Sequence, residues 1–149
     1  MVLTVASFQV LGLPSSPAAR QPQASAAQPQ PINALQGKLT VAGSGGVRLS
    51  TSSGDIRLAS ENPQLLRTLQ DSRLNGREVR LEGRRTSNGE FNASHILVVR
   101  DGKLYRLRYY CHVCNIPATE PGPCVCCQRP TELEEIAVDQ VTNDMVLVP

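Results

Sequence analysis

The sequence predicts a mainly β protein: a small five-stranded barrel with one helix, extended at its C-terminal end by a cysteine-bearing hairpin. Three observations carry this. From Gly37 onward short segments alternate apolar and polar residues, Val47 and Leu49 around Arg48, Ile56 and Leu58 around Arg57, as half-buried strands do. A single stretch, with Leu65, Leu66 and Leu69, forms a one-sided helical stripe. All 5 cysteines fall between Cys111 and Cys127.

The chain opens with "MVLTVASFQVLGLPSSPAARQPQASAAQPQPINA", in which Arg20 is the one charged side chain. Val2 to Leu13 is an apolar run of signal-peptide size, too short for a comfortable bilayer span, and Ala24-Ser25-Ala26 resembles a cleavage site. The expectation is a signal peptide over residues 1–26 and export to the periplasm or the extracellular space. No Lys or Arg precedes Val2, where an export signal normally carries one, so either the true start lies upstream or the stretch is not a signal; the rival reading is an N-terminal strand, Val2 to Leu11, docking on the domain or on another subunit. Residues 27–36, rich in Pro, Gln and Ala, bury too little apolar surface to fold and read as a disordered linker.

Residues 37–108 form the expected barrel. "GKLTVAG", "VRLST" and "DIRLAS" are its first three strands. Asn62 then sits where a helix N-cap accepts backbone N–H bonds, and Pro63 at the first helical position loses no bond it needed. The helix is expected to end near Asn75-Gly76, where a left-handed conformation is cheap. After it come "REVRLEGR", the hairpin signal Asn88-Gly89, "FNASHILVV", a second hairpin signal Asp101-Gly102, and "KLYRLRYY". Three strands, a helix and two more strands is the chain order of an OB-fold, which residues 37–99 resemble in order and length. An open antiparallel sheet packed by one helix fits the same string. The resemblance implies a ligand-binding face on the second and third strands and flanking loops, here Arg48, Arg57, Arg84 and Arg85 with "AGSGG" and "RTSNGE".

Cys111-His112-Val113-Cys114 and Cys124-Val125-Cys126-Cys127 are two C-x2-C pairs separated by nine residues. Each pair can curl into a knuckle aiming two thiolates at one point, and two facing knuckles make a tetrahedral sulfur cage. Asn115 and Gln128 follow the pairs, where knuckles often carry Gly in a left-handed conformation. The stretch 109–133 resembles zinc ribbons and the rubredoxin-like knuckle pair of rubrerythrins in its Y-C-x-x-C … P-x-C-x-x-C-x-x-P skeleton. That similarity implies Cys111, Cys114, Cys124 and Cys127 as ligands. The loop is shorter than the usual rubredoxin-like one, Gly is absent after each pair, and Cys126 is an extra thiol. Disulfides are the main rival, since export permits them, but an odd count strands one thiol. Haem attachment requires C-x-x-C-H, and Asn115 stands in the decisive place. Both Zn2+ and iron accept four thiolates. Zinc staples a segment too short to fold on its own core, whereas iron makes a one-electron carrier.

The formal charge of +2 is small, but its distribution is uneven. From Arg73 to Arg108 cations outnumber anions, whereas Glu132, Glu134, Glu135, Asp139 and Asp144 make the end of the chain acidic. Arg106 and Arg108 share a strand face with Leu104 and Tyr110, a basic rim suited to an anionic partner or simply to solubility. No catalytic constellation emerges. His95 lies on a strand with no activated nucleophile, His112 sits inside a knuckle, and "AGSGG" opens no helix that would cradle a phosphate. Asn92-Ala93-Ser94 matches a glycosylation sequon. Single-stranded nucleic acid would require stacking platforms, and Phe91 and Tyr105 are the rings near the expected face. Residues 134–149 are apolar enough to add a strand to the ribbon sheet, or to pair with another subunit in a homo-oligomer. The expected function is a non-enzymatic binding or assembly module of the bacterial cell envelope or extracellular space, with structural zinc and an unknown protein or anionic partner. The alternatives are a rubredoxin-like electron carrier and an OB plus zinc-ribbon protein binding single-stranded nucleic acid.

Overall fold

Pairing begins earlier than composition suggests. In this computed structural model, which describes residues 32–43 and 46–149, strand β1 spans Asn33–Val41 and so takes in the last four residues of the expected linker. The main chain of Asn33 to Gln36 pairs with Gly83 to Arg80 of strand β4 (Glu78–Arg85), and Leu35 packs on the core. Backbone hydrogen bonds and one half-buried leucine override a polar composition. The expected signal peptide, and residues 27–31 of the expected linker, lie outside the described residues.

Among the described residues the chain is mainly β with one α-helix, and its antiparallel sheet has a partly ring-like strand arrangement. Strand β1 pairs with β4 through its first half and with β2 (Val47–Thr51) through its second. Strand β2 pairs with β3 (Gly54–Ala59), and β4 with β5 (Phe91–Arg100). A short parallel contact, Leu58 to Phe91 and Ala59 to Asn92, joins β3 to β5 and returns the pairing to its start. Inward residues of all five strands, among them Leu39, Leu49, Leu58, Leu81, Phe91 and Ile96, make one mainly aliphatic core. As expected, Asp101 and Gly102 both take positive φ, 51° and 72°, in the tight turn after β5.

Between Glu82 and Gly83 the β4–β5 register shifts by a bulge. A Cβ on Gly83 would stand 2.1 Å from the carbonyl oxygen of Asn92 and 2.9 Å from the Cα of Ala93. Both are backbone atoms of a paired strand and cannot step aside. Gly83→Ala is therefore expected to cost about 2 kcal/mol or more, the scale of overpacking a tight site. A denaturant midpoint unchanged from wild type would refute this.

Helix α1 (Pro63–Leu69) starts as expected, with Asn62 Oδ1 accepting from the backbone N–H of Gln64 at 2.9 Å and of Leu65 at 3.4 Å. It ends at Leu69, with the apolar stripe but before the expected end near Asn75-Gly76. Asp71 accepts from the Arg73 N–H at 3.0 Å and caps a separate 3-10 turn, Ser72–Leu74, which carries the buried Leu74 onward. A short polar side chain bonding the nearby backbone competes with continued α-helix. Gly76, with φ of 79°, then reverses the chain as the sequence requires.

Strand β6 (Lys103–Cys111) carries the core into the cysteine region. One edge meets β5 and then β7 (Ile116–Ala118), and the other meets β8 (Glu132–Ala137). The tail thus does supply a strand to the ribbon sheet, starting at Glu132. Its final residues enter the fork where β5 and β6 separate. There Val148 N–H donates to Leu107 O at 2.8 Å, Ile96 N–H donates to Pro149 O at 3.1 Å, and Val148 is fully buried. No helix among the described residues is long and apolar enough to cross a membrane.

Candidate metal centre

The two C-x2-C pairs converge. Strand β6 delivers Cys111 at its end, and the turn to Cys114 closes with Asn115 at φ of 55°. The second knuckle stands on a bridge between Pro123 and Pro130. Cys124 N–H donates to Arg129 O at 2.7 Å, Gln128 N–H donates to Cys124 O at 2.9 Å, and Gln128 has φ of 59°. Non-glycine residues therefore hold both left-handed positions, so glycine was not required for the knuckle geometry. The Sγ atoms of Cys111, Cys114, Cys124 and Cys127 all lie within 4.8 Å of one another, and those of Cys111 and Cys127 are 3.5 Å apart. Sulfurs arranged tetrahedrally about zinc at ~2.3 Å are about 3.8 Å apart, so the group fits a metal cage. Every cysteine is a free thiol, whereas a disulfide bond would be about 2.05 Å long.

Burial and charge differ across the cage. Cys111 and Cys124 are buried, Cys114 and Cys127 half-buried, and Cys126 exposed. The N–H groups of Cys127 and Cys126 point at Cys124 and draw its pKa down to about 7. At Cys111 the N–H of Cys114 acts in the same direction, but burial and the sulfurs of Cys124 and Cys127 prevail and raise it. Cys114 is raised by hydrogen bonding to Cys126 first and Cys127 second. Crowded sulfurs resist accumulating negative charge, and a bound cation relieves that resistance.

The ribbon is fastened to the ring of strands by a buried polar hub. Tyr109, fully buried on β6, donates its hydroxyl to Asp71 Oδ2 at 2.9 Å. Arg73 grips the same carboxylate, with Nη2 to Oδ2 at 2.7 Å, and donates through Nη1 to Thr131 O at 2.9 Å, just after the second knuckle. Arg67 of α1 reaches Glu120 in the inter-knuckle loop at 2.7 Å. No motif announced this hub. The one available signal was the capping pattern of Asp71-Ser72-Arg73.

The expected basic rim is corrected by β8. Arg108 pairs with Glu134 at 2.5 Å, Arg77 and Arg100 converge on Glu135 at 3.2 and 2.9 Å, and Arg106 donates to Val148 O at 3.0 Å. The acidic end lies across the basic middle and neutralises much of it. His112 Nε2 sits 2.9 Å from Glu134 and its ring meets Tyr110 edge-on, so its contacts lie on β8 and β6.

The four arginines of the expected ligand face lie on three strands. Arg48 and Arg57 are cross-strand partners on β2 and β3, exposed, with Arg57 3.5 Å from Glu90. Arg84 and Arg85 instead line a cavity of about 740 Å³ with Ile32, Glu61, Asn92 and His95. The "AGSGG" loop falls partly outside the described residues. Neither ring expected near this face is free to stack. Phe91 is fully buried in the core, and the Arg100 guanidinium covers Tyr105 at 4.3 Å. Asn92, the sequon residue, has its amide engaged by Glu61 at 2.8 Å. His95 is an exposed strand residue whose Nδ1 lies 3.2 Å from Ser94 Oγ.

Comparison of the chain with protein-family models, curated proteins and solved structures finds no match in any of the three. The four-cysteine geometry is compatible with a zinc-ribbon-like site, and it stands on the residues themselves.

Proposed function

We propose that this protein is a non-enzymatic binding or assembly module of the cell envelope or extracellular space, in which zinc held by Cys111, Cys114, Cys124 and Cys127 staples the C-terminal ribbon to the β-ring. The convergence of four Sγ atoms within 4.8 Å carries this reading. Four thiolates fill a tetrahedral metal and leave no position for a reacting water, the mark of a structural site. A ribbon of this length gains folding energy from the metal that its own small core does not supply. The nucleic-acid alternative loses support because Phe91 and Tyr105 are engaged elsewhere.

Elemental analysis with native mass spectrometry of protein isolated from its native host tests the proposal. The expected result is one zinc per chain in a colourless protein whose mature sequence begins near Ala27. Visible absorption with stoichiometric iron would replace the structural staple by an electron carrier. Intact residues 1–13 in secreted material would remove the export reading.

A further inference from the structure

We propose that the cavity beside the β4–β5 bulge binds a small hydroxylated anion, a sugar acid or sugar phosphate. This names a ligand class for the binding module proposed above and rests on that reading. The cavity measures about 740 Å³, ample for a monosaccharide derivative. Neither Arg48 nor Arg57 lines it.

Charge is the first argument. Arg73, Arg77, Arg100 and Arg108 are all matched to carboxylates within the chain. The guanidiniums of Arg84 and Arg85, by contrast, make no hydrogen bond or ion pair among the described residues. Successive strand residues normally point to opposite faces, yet both arginines reach this cavity at the end of β4, just past the bulge. Two planar forks with open donors are suited to carboxylate or phosphate oxygens.

The remaining lining selects the body of the ligand. Glu61 is held in place by Asn92, which donates Nδ2 to Oε1 at 2.8 Å and accepts from the Glu61 N–H at 3.1 Å. The second oxygen of that carboxylate, with Ser87 and His95 in the same lining, offers partners for hydroxyl groups. Ile32 supplies an aliphatic surface, and among the described residues no Phe, Tyr or Trp lines the cavity. A nucleobase would find only the exposed His95 imidazole to stack on here, whereas a hydroxylated anion needs no stacking ring.

Calorimetric titration of the full, metal-loaded chain with glucose 6-phosphate, glucuronate, glucose, adenosine monophosphate and inorganic phosphate tests this. The expected result is binding of glucose 6-phosphate or glucuronate with Kd below ~1 mM. Which of the two binds more tightly separates phosphate from carboxylate as the natural anion. Glucose should bind at least about tenfold more weakly, and the double variant Arg84→Ala/Arg85→Ala should lose at least about tenfold for the anionic sugar. The control Arg48→Ala/Arg57→Ala should bind as wild type does. All four side chains are exposed, so an unchanged melting temperature certifies each variant. The proposal is overturned if no sugar anion binds, if inorganic phosphate or adenosine monophosphate binds as tightly as glucose 6-phosphate, or if the Arg84/Arg85 variant binds normally. Such a result with zinc still bound removes the ligand and leaves the metal-stapled module standing.

Discussion

Cys124→Ser is expected to abolish stoichiometric metal binding and to lower the melting temperature by about 10 °C or more, equivalent to a loss of roughly 4 kcal/mol for a chain of this size. Cys124 is buried, receives two backbone N–H groups at its sulfur and anchors the second knuckle through its own N–H and carbonyl. Its oxygen replacement leaves the other three sulfurs crowded with no complete cage. Structural zinc contributes of the order of 10 kcal/mol in small metal-folded units, so the ribbon should unravel from Cys111 to Thr131. Strand β8 and the far end of β6 lose their support with it. The ring core, built from Leu39, Leu49, Leu81 and Ile96, should keep its strand signal in circular dichroism. Chelation of the wild-type protein should reproduce the effect, and thiol titration should then count all 5 cysteines instead of the single exposed Cys126. A melting temperature indifferent to both chelator and mutation would mean that the cage does not hold the ribbon.

Asp71→Ala is expected to destabilise the protein by about 3 kcal/mol, although the residue lies far in sequence from the cysteines. The substitution strands the buried Tyr109 hydroxyl, releases Arg73 and removes the cap of the 3-10 turn, losses of about 1–3 kcal/mol for the hydroxyl alone. Asp71→Asn keeps the cap and one bond to Tyr109 but loses the charge, and should fall between the two. The pH dependence separates these contributions. Burial alone would raise the Asp71 pKa, but the Arg73 guanidinium and N–H and the Tyr109 hydroxyl bond its charged form and bring it below 3.8. The folded state therefore binds this proton less readily than the unfolded chain. Its stabilisation is fully present above about pH 4 and fades as the pH falls through the folded value. Denaturant titrations from pH 7 to pH 2 should show the gap between wild type and Asp71→Asn closing at the acid end. A gap that stays constant with pH would assign the loss to packing instead of charge.

The knuckles, the N-cap of α1 and the Asp101-Gly102 turn could all be read from the chain because each is local. Two thiols three residues apart, an Asn before a Pro, and a residue pair that tolerates positive φ specify their geometry within a few bonds. The strand order was legible for a related reason, since period-two alternation marks which residues face a core. Other features required the folded chain. Arg108 meets Glu134 across 26 residues, and Tyr109 meets Asp71 across 38. Strand register sets both meetings, and no single segment encodes it. Whether a charge run becomes a binding surface or an internal ion pair depends on what is laid beside it. Thus β8 silenced much of the basic middle, while Arg84 and Arg85 at the bulged end of β4 stayed open. Likewise Asn33 to Gln36 joined a strand because β4 offered an unpaired edge, and backbone hydrogen bonding depends little on the side chains that composition counts.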